Sequence, residues 1–215
     1  MHVPDGFLAP RFYLPLWATL LPAWGVALRR LRRRLDERTL PRLAAATAVA
    51  FALSSIALPL PGGTSVHASG VGLLATVFGP AATFVSLSLV FLIQALVLGQ
   101  GGITALPLGA LALGLVGGSV ATGLHRLLGR RLPRTALFLA GAGGTLAAAG
   151  VVAVALGIQP ALAHRPDGTP LFFPFGLEVT LPAMLLPHLV VGAAEGVLTV
   201  LAWRAFQERA PGALP

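Results

Sequence analysis

Residues 64–98 read TSVHASGVGLLATVFGPAATFVSLSLVFLIQALVL and contain no lysine, arginine, aspartate or glutamate. A helix that crosses the hydrocarbon core of a bilayer, which is about 30 Å thick, needs roughly 20 such apolar residues. The pair Gly79-Pro80 divides the stretch, because proline cannot continue the hydrogen-bond ladder of a helix. The sequence therefore predicts a short helix over 64–78 and a full membrane helix over 81–98.

Similar apolar runs recur through the 215 residues, of which 56% are hydrophobic and 10% charged, with a mean hydropathy of +0.85. Soluble domains usually carry about 25% charged residues. The composition therefore predicts an all-α, polytopic membrane protein that forms a single domain over residues 1–215. Together with the two helices above, these runs predict a bundle of about seven transmembrane helices. The short helix could re-enter the membrane rather than cross it. The other five are expected at 12–28, 43–58, 106–128, 135–158 and 181–206.

The arginines predict the orientation of this bundle, because cytoplasmic loops collect basic residues. If residues 29–34 (RRLRRR) are cytoplasmic, thirteen of the fifteen arginines lie inside, and only Arg11 and Arg165 lie outside. We therefore expect the N-terminus outside and the C-terminus inside. The net charge of +8 comes from clusters between apolar runs rather than from one basic face, so it does not indicate a nucleic-acid partner.

Small residues recur at helical spacing on the fifth and sixth predicted helices, and such residues let membrane helices approach closely. They fit packing within the bundle or a face for another membrane subunit. They are Ala110, Gly114, Gly118 and Thr122 on the fifth helix and Gly141, Gly144 and Ala148 on the sixth.

The first two residues, Met1-His2, offer three nitrogens to one metal ion: the α-amine, the His2 amide once deprotonated, and the imidazole. No basic region precedes an apolar run here, so a cleaved signal peptide is not expected and these residues should persist. The three nitrogens close fused chelate rings, and Ni(II) and Cu(II) suit square-planar nitrogen sites. By itself, an N-terminal Met-His pair is more typical of a disordered terminus.

His67 is a candidate fourth ligand, because histidine is the commonest metal ligand among side chains. It follows the segment PGGTSV (61–66), whose glycines allow close approach of the backbone. The expected topology also places His67 on the same external side as the N-terminus.

Several segments resemble the cobalt- and nickel-specific substrate-binding (S) components of energy-coupling-factor (ECF) transporters, the CbiM/NikM family. This resemblance implies that the Met1 amine, the His2 amide and imidazole, and the His67 imidazole are the four metal ligands. It also implies a seven-helix bundle in the bacterial cytoplasmic membrane. The segments are MHVPDGFL (1–8), PGGTSVH (61–67), GGITAL (101–106), PHL (187–189) and EGVLT (195–199).

The function implied by this resemblance is high-affinity binding of Ni(II) or Co(II), the transported substrate, at the external face of an ATP-driven importer. The implied partners are a coupling transmembrane subunit and ATPase subunits, with a small accessory membrane subunit as a further candidate. This chain contains no lysine, and a Walker A phosphate loop requires one, so we expect no ATP binding here. Nickel and cobalt are not distinguished.

Three other functions compete with this interpretation. An ion-coupled secondary carrier would be supported by Glu195 within the last helix, although no inverted repeat is evident. An intramembrane metalloenzyme would be expected to show His-Glu-x-x-His, which is absent. A scaffold that transports nothing should bind no metal tightly. We therefore expect a protein that is not an enzyme.

Several polar residues keep open roles. Family members usually have aspartate at Gln100 and a polar Gly-Ala-Asn stretch at 107–110 (PLGA), and such differences could tune the site. Asp5 could support a ligand or cap the following helix. His188 and Glu195 share a helix face, and each could be functional or could form a buried hydrogen bond that stabilises the bundle. Glu195 lies roughly 20 Å below the helix's outer end and so away from the metal. The same two roles are open to Gln94. His164 lies in a loop. The side chains of Phe172, Phe173 and Phe175 could cover the site or face the membrane.

Overall fold

The computed structural model describes residues 2–56, 58–59 and 65–209, and this part of the chain is almost entirely helical. Strands β1 and β2 form an antiparallel pair, with Leu58 opposite Val66. The elements in order are α1 (Pro10–Arg32), α2 (Thr39–Ser55), β1 (Leu58–Pro59), β2 (Ser65–Val66), α3 (Val71–Val97), α4 (Leu106–Gly109), a π-helical segment (Ala110–Gly117), α5 (Gly118–Leu128), α6 (Pro133–Gly157), α7 (Gln159–Leu162) and α8 (Leu177–Arg209).

Within the described ranges, four helices are long and apolar enough to cross a membrane: Val71–Val97, Leu106–Leu128, Pro133–Leu162 and Leu177–Ala205. The sequence predicted about seven. Helix α2 has only 17 residues, and α1 carries three arginines in its last turn. The helix predicted over 64–78 begins at Val71 instead, because residues 65–66 pair as a strand and 67–70 are irregular.

Helix α3 is broken at Gly79, as the Gly79-Pro80 pair predicted. Gly79 has φ 80° and ψ 177°, a conformation open to glycine but not to residues with a Cβ. A straight helix would hold Val71 and Gln94 about 34 Å apart. The His2 ring nevertheless contacts both Gln94 and His67, which lies four residues before Val71. The two arms of α3 therefore fold back on each other at Gly79.

The lengths of these two arms answer whether the short helix crosses the membrane. The first arm, residues 71–78, is about 12 Å long and the second, 80–97, about 27 Å. A crossing needs about 30 Å, so the first arm does not span.

Helix α2 runs parallel to the second arm of α3, since Thr47 bonds Ser86 and, seven residues further along α2, Ser54 bonds Gln94. The neighbouring His2 and His67 rings therefore lie near the ends of α2 and of the second arm, where Ser54 and Gln94 are found.

The small residues predicted on the fifth and sixth helices face other helices of this chain. A Cβ on Gly114 would touch Phe84 of α3, and one on Gly144 would meet the carbonyl oxygen of Gly117. The Thr122 hydroxyl donates to the carbonyl oxygen of Ala75 at 3.1 Å. The interpretation as packing within the bundle is thus confirmed for these positions.

Two glycines of α6 provide a matched test of this packing. A Cβ at Gly141 would meet the Glu195 carbonyl oxygen and the Thr199 hydroxyl of α8, whereas one at Gly150 would meet nothing within 4 Å. We expect Gly141→Ala to lower the melting temperature in detergent, because overpacking typically costs about 1–3 kcal/mol. Gly150→Ala should leave it unchanged or raise it, since alanine favours helices. Equal melting temperatures for the two variants would contradict this account of the α6–α8 contact.

Candidate metal centre

Residues 2–9, here called the N-terminal segment, are held against the bundle before α1 begins. Val3 is buried, and its carbonyl oxygen accepts a hydrogen bond from the Gly102 N–H at 2.9 Å. Leu8 is only 1% exposed and belongs to the main apolar core. Burial of Val3 and Leu8 gives the N-terminal segment a fixed position, in contrast to the disorder that is typical of the residues at a Met-His terminus.

Asp5 fastens the N-terminal segment to the connection between α3 and α4. Its carboxylate accepts hydrogen bonds from the backbone N–H groups of Ile103 and Thr104 and from the Thr104 hydroxyl. The Thr104 hydroxyl, with these N–H groups, lowers the pKa of Asp5 below its usual value. Of the two roles left open for Asp5, capping of the following helix is not observed, since Ala9 is the N-cap of α1 and no side chain caps it.

The other end of the N-terminal segment is tied to the α6–α8 connection. The Ala9 N–H donates to Oε1 of the fully buried Gln159 at 2.9 Å. The Phe173 N–H donates to the Phe7 carbonyl oxygen at 3.2 Å, and the two rings lie 5.3 Å apart. Phe173 of this aromatic loop therefore packs against the N-terminal segment, and the choice between covering the site and facing the membrane stays open.

The imidazole rings of His2 and His67 are neighbours, with centroids 4.7 Å apart. The His2 ring also meets Phe91 edge-on at 5.6 Å. On its other side lies Gly101, where a Cβ would come within 3.3 Å of His2 Cδ2. The sequence-based pairing of His2 with His67 thus corresponds to a contact in the structure. Met1, the third predicted ligand residue, lies outside the described residues.

Gln94 orients the His2 ring, a role that the sequence had left open. Its side-chain oxygen lies 2.9 Å from His2 Nε2, while its amide nitrogen donates to Ser54 Oγ at 2.9 Å and Ser55 Oγ at 3.3 Å. Both serine hydroxyls already donate to the Phe51 carbonyl oxygen, so they accept from the Gln94 amide nitrogen, and the Gln94 oxygen faces His2. With this oxygen as acceptor, Nε2 is assigned as the protonated nitrogen of His2. The lone pair of the neutral ring is then on Nδ1, beside the backbone of His2.

Both imidazoles are electrically neutral around pH 7. Burial lowers the pKa of His2 to about 4 and that of His67 to about 2. His67 is 9% exposed, and its Nδ1 lies 3.4 Å from the Ala68 carbonyl oxygen. A neutral imidazole is the form that binds metal ions.

The arrangement offers few side-chain ligands besides this pair. Over the described ranges, no three His, Asp or Glu side chains gather closely enough to hold a metal ion. A cavity of about 20 Å³ adjoins His2, Phe91 and Gln100. Gln100 Oε1 is buried there without a hydrogen-bond partner in the described part of the chain. The described His, Asp and Glu side chains alone therefore do not complete a site on the two imidazoles.

Glu195 lies closer to this centre than the sequence indicated. It is 1% exposed, and its Oε2 accepts the Ser69 N–H at 2.8 Å, only two residues beyond His67. The expectation of about 20 Å assumed a site at the outer end of the last helix. The residues that follow His67 instead run into the bundle, so that Ser69 reaches the carboxyl group of Glu195.

The remaining histidines occupy different places. The buried His188 has its Nδ1 2.6 Å from the Met184 carbonyl oxygen one turn earlier in α8. His164 is exposed in the α7–α8 loop. His125 stacks near Trp203 at 5.3 Å. Burial has the larger effect on the lowered pKa of the His67 ring, but of these three histidines His188 lies near enough to His67 for its charge to lower that pKa as well.

A cavity of about 1,370 Å³ opens at the other end of the bundle, near the α1–α2 and α5–α6 connections. It includes no acidic residue from the described chain, so its chemistry does not suit a cation. Its basic lining consists of Arg30, Arg34, Arg42, Arg126 and Arg130, with His125 beside them.

Residues 2–213 match the protein family described as "Cobalt uptake substrate-specific transmembrane region", CbiM. The chain belongs to this family. A fused nickel transport protein, NikMN, of Rhodobacter capsulatus is 40% identical over 212 residues, which are 94% of this chain and 61% of the relative. This CbiM-family chain thus spans less than two thirds of that protein. The cobalt transport protein CbiM of Chlorobium limicola is 36% identical over 221 residues, covering 100% of this chain and 84% of the relative.

The CbiM-family fold is also found in a solved structure. A crystal structure described as a truncated transition metal transporter has a TM-score of 0.92 and 39% identity, covering 97% of this chain and 99% of that one. The relatives are named as transport proteins, so the family is one of multi-pass membrane transporters and not of enzymes.

Gln94→Leu tests the orientation of His2. The variant leaves the buried His2 Nε2–H without an acceptor, and loss of such a partner typically weakens metal affinity about 10–100-fold. We expect that loss in nickel titrations of purified protein, with a small decrease in melting temperature. Gln94→Glu keeps the acceptor oxygen and should retain most of the affinity. Full affinity in Gln94→Leu would show that this hydrogen bond does not orient a ligand.

Proposed function

We propose that this chain is the substrate-binding S component of an ECF-type importer and binds Ni(II) or Co(II) at the external face. The ligands are the Met1 amine, the His2 amide and imidazole, and the His67 imidazole. The observation that supports this most is the 4.7 Å separation of the His2 and His67 rings. The two residues are 65 positions apart and come together in a buried setting with neutral rings.

The orientation of His2 fits the chelate. With Nε2 bonded to Gln94, Nδ1 is the nitrogen on the same side as the His2 amide. Nδ1 and the amide nitrogen close a six-membered ring around the ion, and the amide and the Met1 amine close a five-membered one. Two fused rings of these sizes would hold the three donors close to one plane around the ion, and His67 would supply the fourth corner. Square-planar nitrogen coordination suits Ni(II) in particular.

The proposed topology has seven membrane segments, with the first arm of α3 as a partial one, the N-terminus outside and the C-terminus inside. The arginine distribution supports it, since Arg30, Arg34, Arg126 and Arg130 line the cavity at the end away from the site. Residues 1–215 then form one domain in the bacterial cytoplasmic membrane, and the N-terminal segment enters from outside.

Energy for uptake would come from separate subunits. A chain without lysine has no Walker A motif, so ATP hydrolysis by that route requires ATPase partners and a coupling membrane subunit. The names of the relatives, a fused nickel transport protein and a cobalt transport protein, support the metal class of the substrate. The ion-coupled carrier gains no support from Glu195, which bonds the backbone beside His67.

Extension of the N-terminus by one alanine tests this proposal. The extension converts the Met1 amine into an amide and moves the terminal amine beyond the chelate. We expect nickel affinity to fall by more than the 10–100-fold typical of outer-shell changes. Binding is measured by calorimetry on purified protein whose first residue is verified by mass spectrometry.

Two histidine variants complete this experiment. His67→Ala should also abolish tight binding, whereas His164→Ala, which alters an exposed loop histidine, should bind like the wild type. Unchanged affinity in the extended protein would contradict ligation by the terminal amine. A loss in His164→Ala equal to that in His67→Ala would place the metal elsewhere.

A further inference from the structure

Glu195 has no part in the proposed chelate, yet it is one of the most deeply buried polar side chains of the described structure. A carboxyl group within a membrane helix is costly to bury, and it persists where it has a specific partner. The groups that bond the Glu195 carboxyl group therefore indicate what Glu195 does.

The partner of Glu195 is the backbone between His67 and α3. Oε2 accepts the Ser69 N–H at 2.8 Å. The Ser69 hydroxyl and the N–H groups of Gly70 and Gly72 interact with the same carboxyl group. One side chain of α8 therefore binds the irregular turn that carries His67.

The surroundings give Glu195 little freedom to move. Its carbonyl oxygen accepts the Thr199 hydroxyl at 2.7 Å. A Cβ on Gly72 of α3 would collide with that hydroxyl, and a Cβ on Gly141 of α6 would meet the Glu195 carbonyl oxygen at 2.7 Å. Helices α3, α6 and α8 are thus in direct contact at the level of the Glu195 backbone.

Ser69 and His67 are separated by one residue, so their backbones lie at most about 7 Å apart. We infer that Glu195 is a positioning residue of the metal site, which holds the His67 segment at the distance from His2 that coordination requires. This inference builds on the proposed function, because it assigns Glu195 a role through His67. The residue acts by accepting backbone hydrogen bonds and does not itself touch the ion.

A double-mutant cycle with His67 tests this role in the full-length protein. Glu195→Leu removes the acceptor and should weaken nickel affinity about 10–100-fold, as loss of an outer-shell partner does. In a His67→Ala background the same substitution should cause no further loss, because a residue that acts only through His67 has nothing left to position. Glu195→Gln keeps an acceptor oxygen, so its nickel affinity should lie between those of the wild type and Glu195→Leu. If Glu195→Leu does not fold, Glu195→Gln replaces it in the cycle.

Thr199→Val is the control for general packing. It alters the same three-helix contact one turn along α8 without removing an acceptor from Ser69. We expect a lower melting temperature but nickel affinity within about twofold of wild type, since no ligand or partner of a ligand is lost.

The absorption spectrum of the nickel complex adds a readout that overall stability does not change. Glu195→Leu should shift the spectrum part of the way towards that of His67→Ala, because His67 is then still present as a ligand but is no longer held in place. Additive losses in the double variant, or an affinity loss in Thr199→Val equal to that in Glu195→Leu, would overturn the inference and leave the proposed function intact. Normal binding by His67→Ala would instead overturn both.

Discussion

The reversal of α3 at Gly79 is the constraint on which the centre depends. A continuous helix would separate His67 from Gln94 by more than 30 Å, and His2 could not contact both. Glycine accepts the required φ of 80°, and Pro80 starts the second arm. Because the helix folds back, His67, before its start, and Gln94, near its end, both lie beside His2 of the N-terminal segment.

The two imidazoles are held by different parts of the bundle. His2 is oriented by Gln94 on the second arm of α3, and its segment is fastened by Gly102 and Asp5. His67 is held through Ser69 by Glu195 on α8. Relative movement of α8 and the second arm would therefore separate the ligands. Such a division suits a protein that must bind an ion tightly and later release it, because a modest shift between helices changes the site.

Much of this arrangement could be predicted from the sequence, and the failures have physical causes. Charge and hydropathy predicted helices, and Gly79-Pro80 marked the break, since each depends on local chemistry. The partners of Glu195 and Asp5 could not be predicted, because they are backbone N–H groups of distant segments and leave no pattern. The approach of the His67 segment to Glu195 was missed for a related reason: the length of a helix says nothing about whether its arms reverse. The predicted helix start at residue 64 was seven residues too early, because residues 65–66 pair as a strand and α3 begins at Val71.

The central claim is that one divalent ion lies between His2 and His67. Crystals of the full-length protein grown with Ni(II) and measured at the nickel absorption edge would locate the ion by anomalous scattering. The account predicts one strong peak within coordination distance of an imidazole nitrogen of both residues and of the terminal amine. A peak bonded to neither imidazole, or one at an exposed loop such as that of His164, would contradict it.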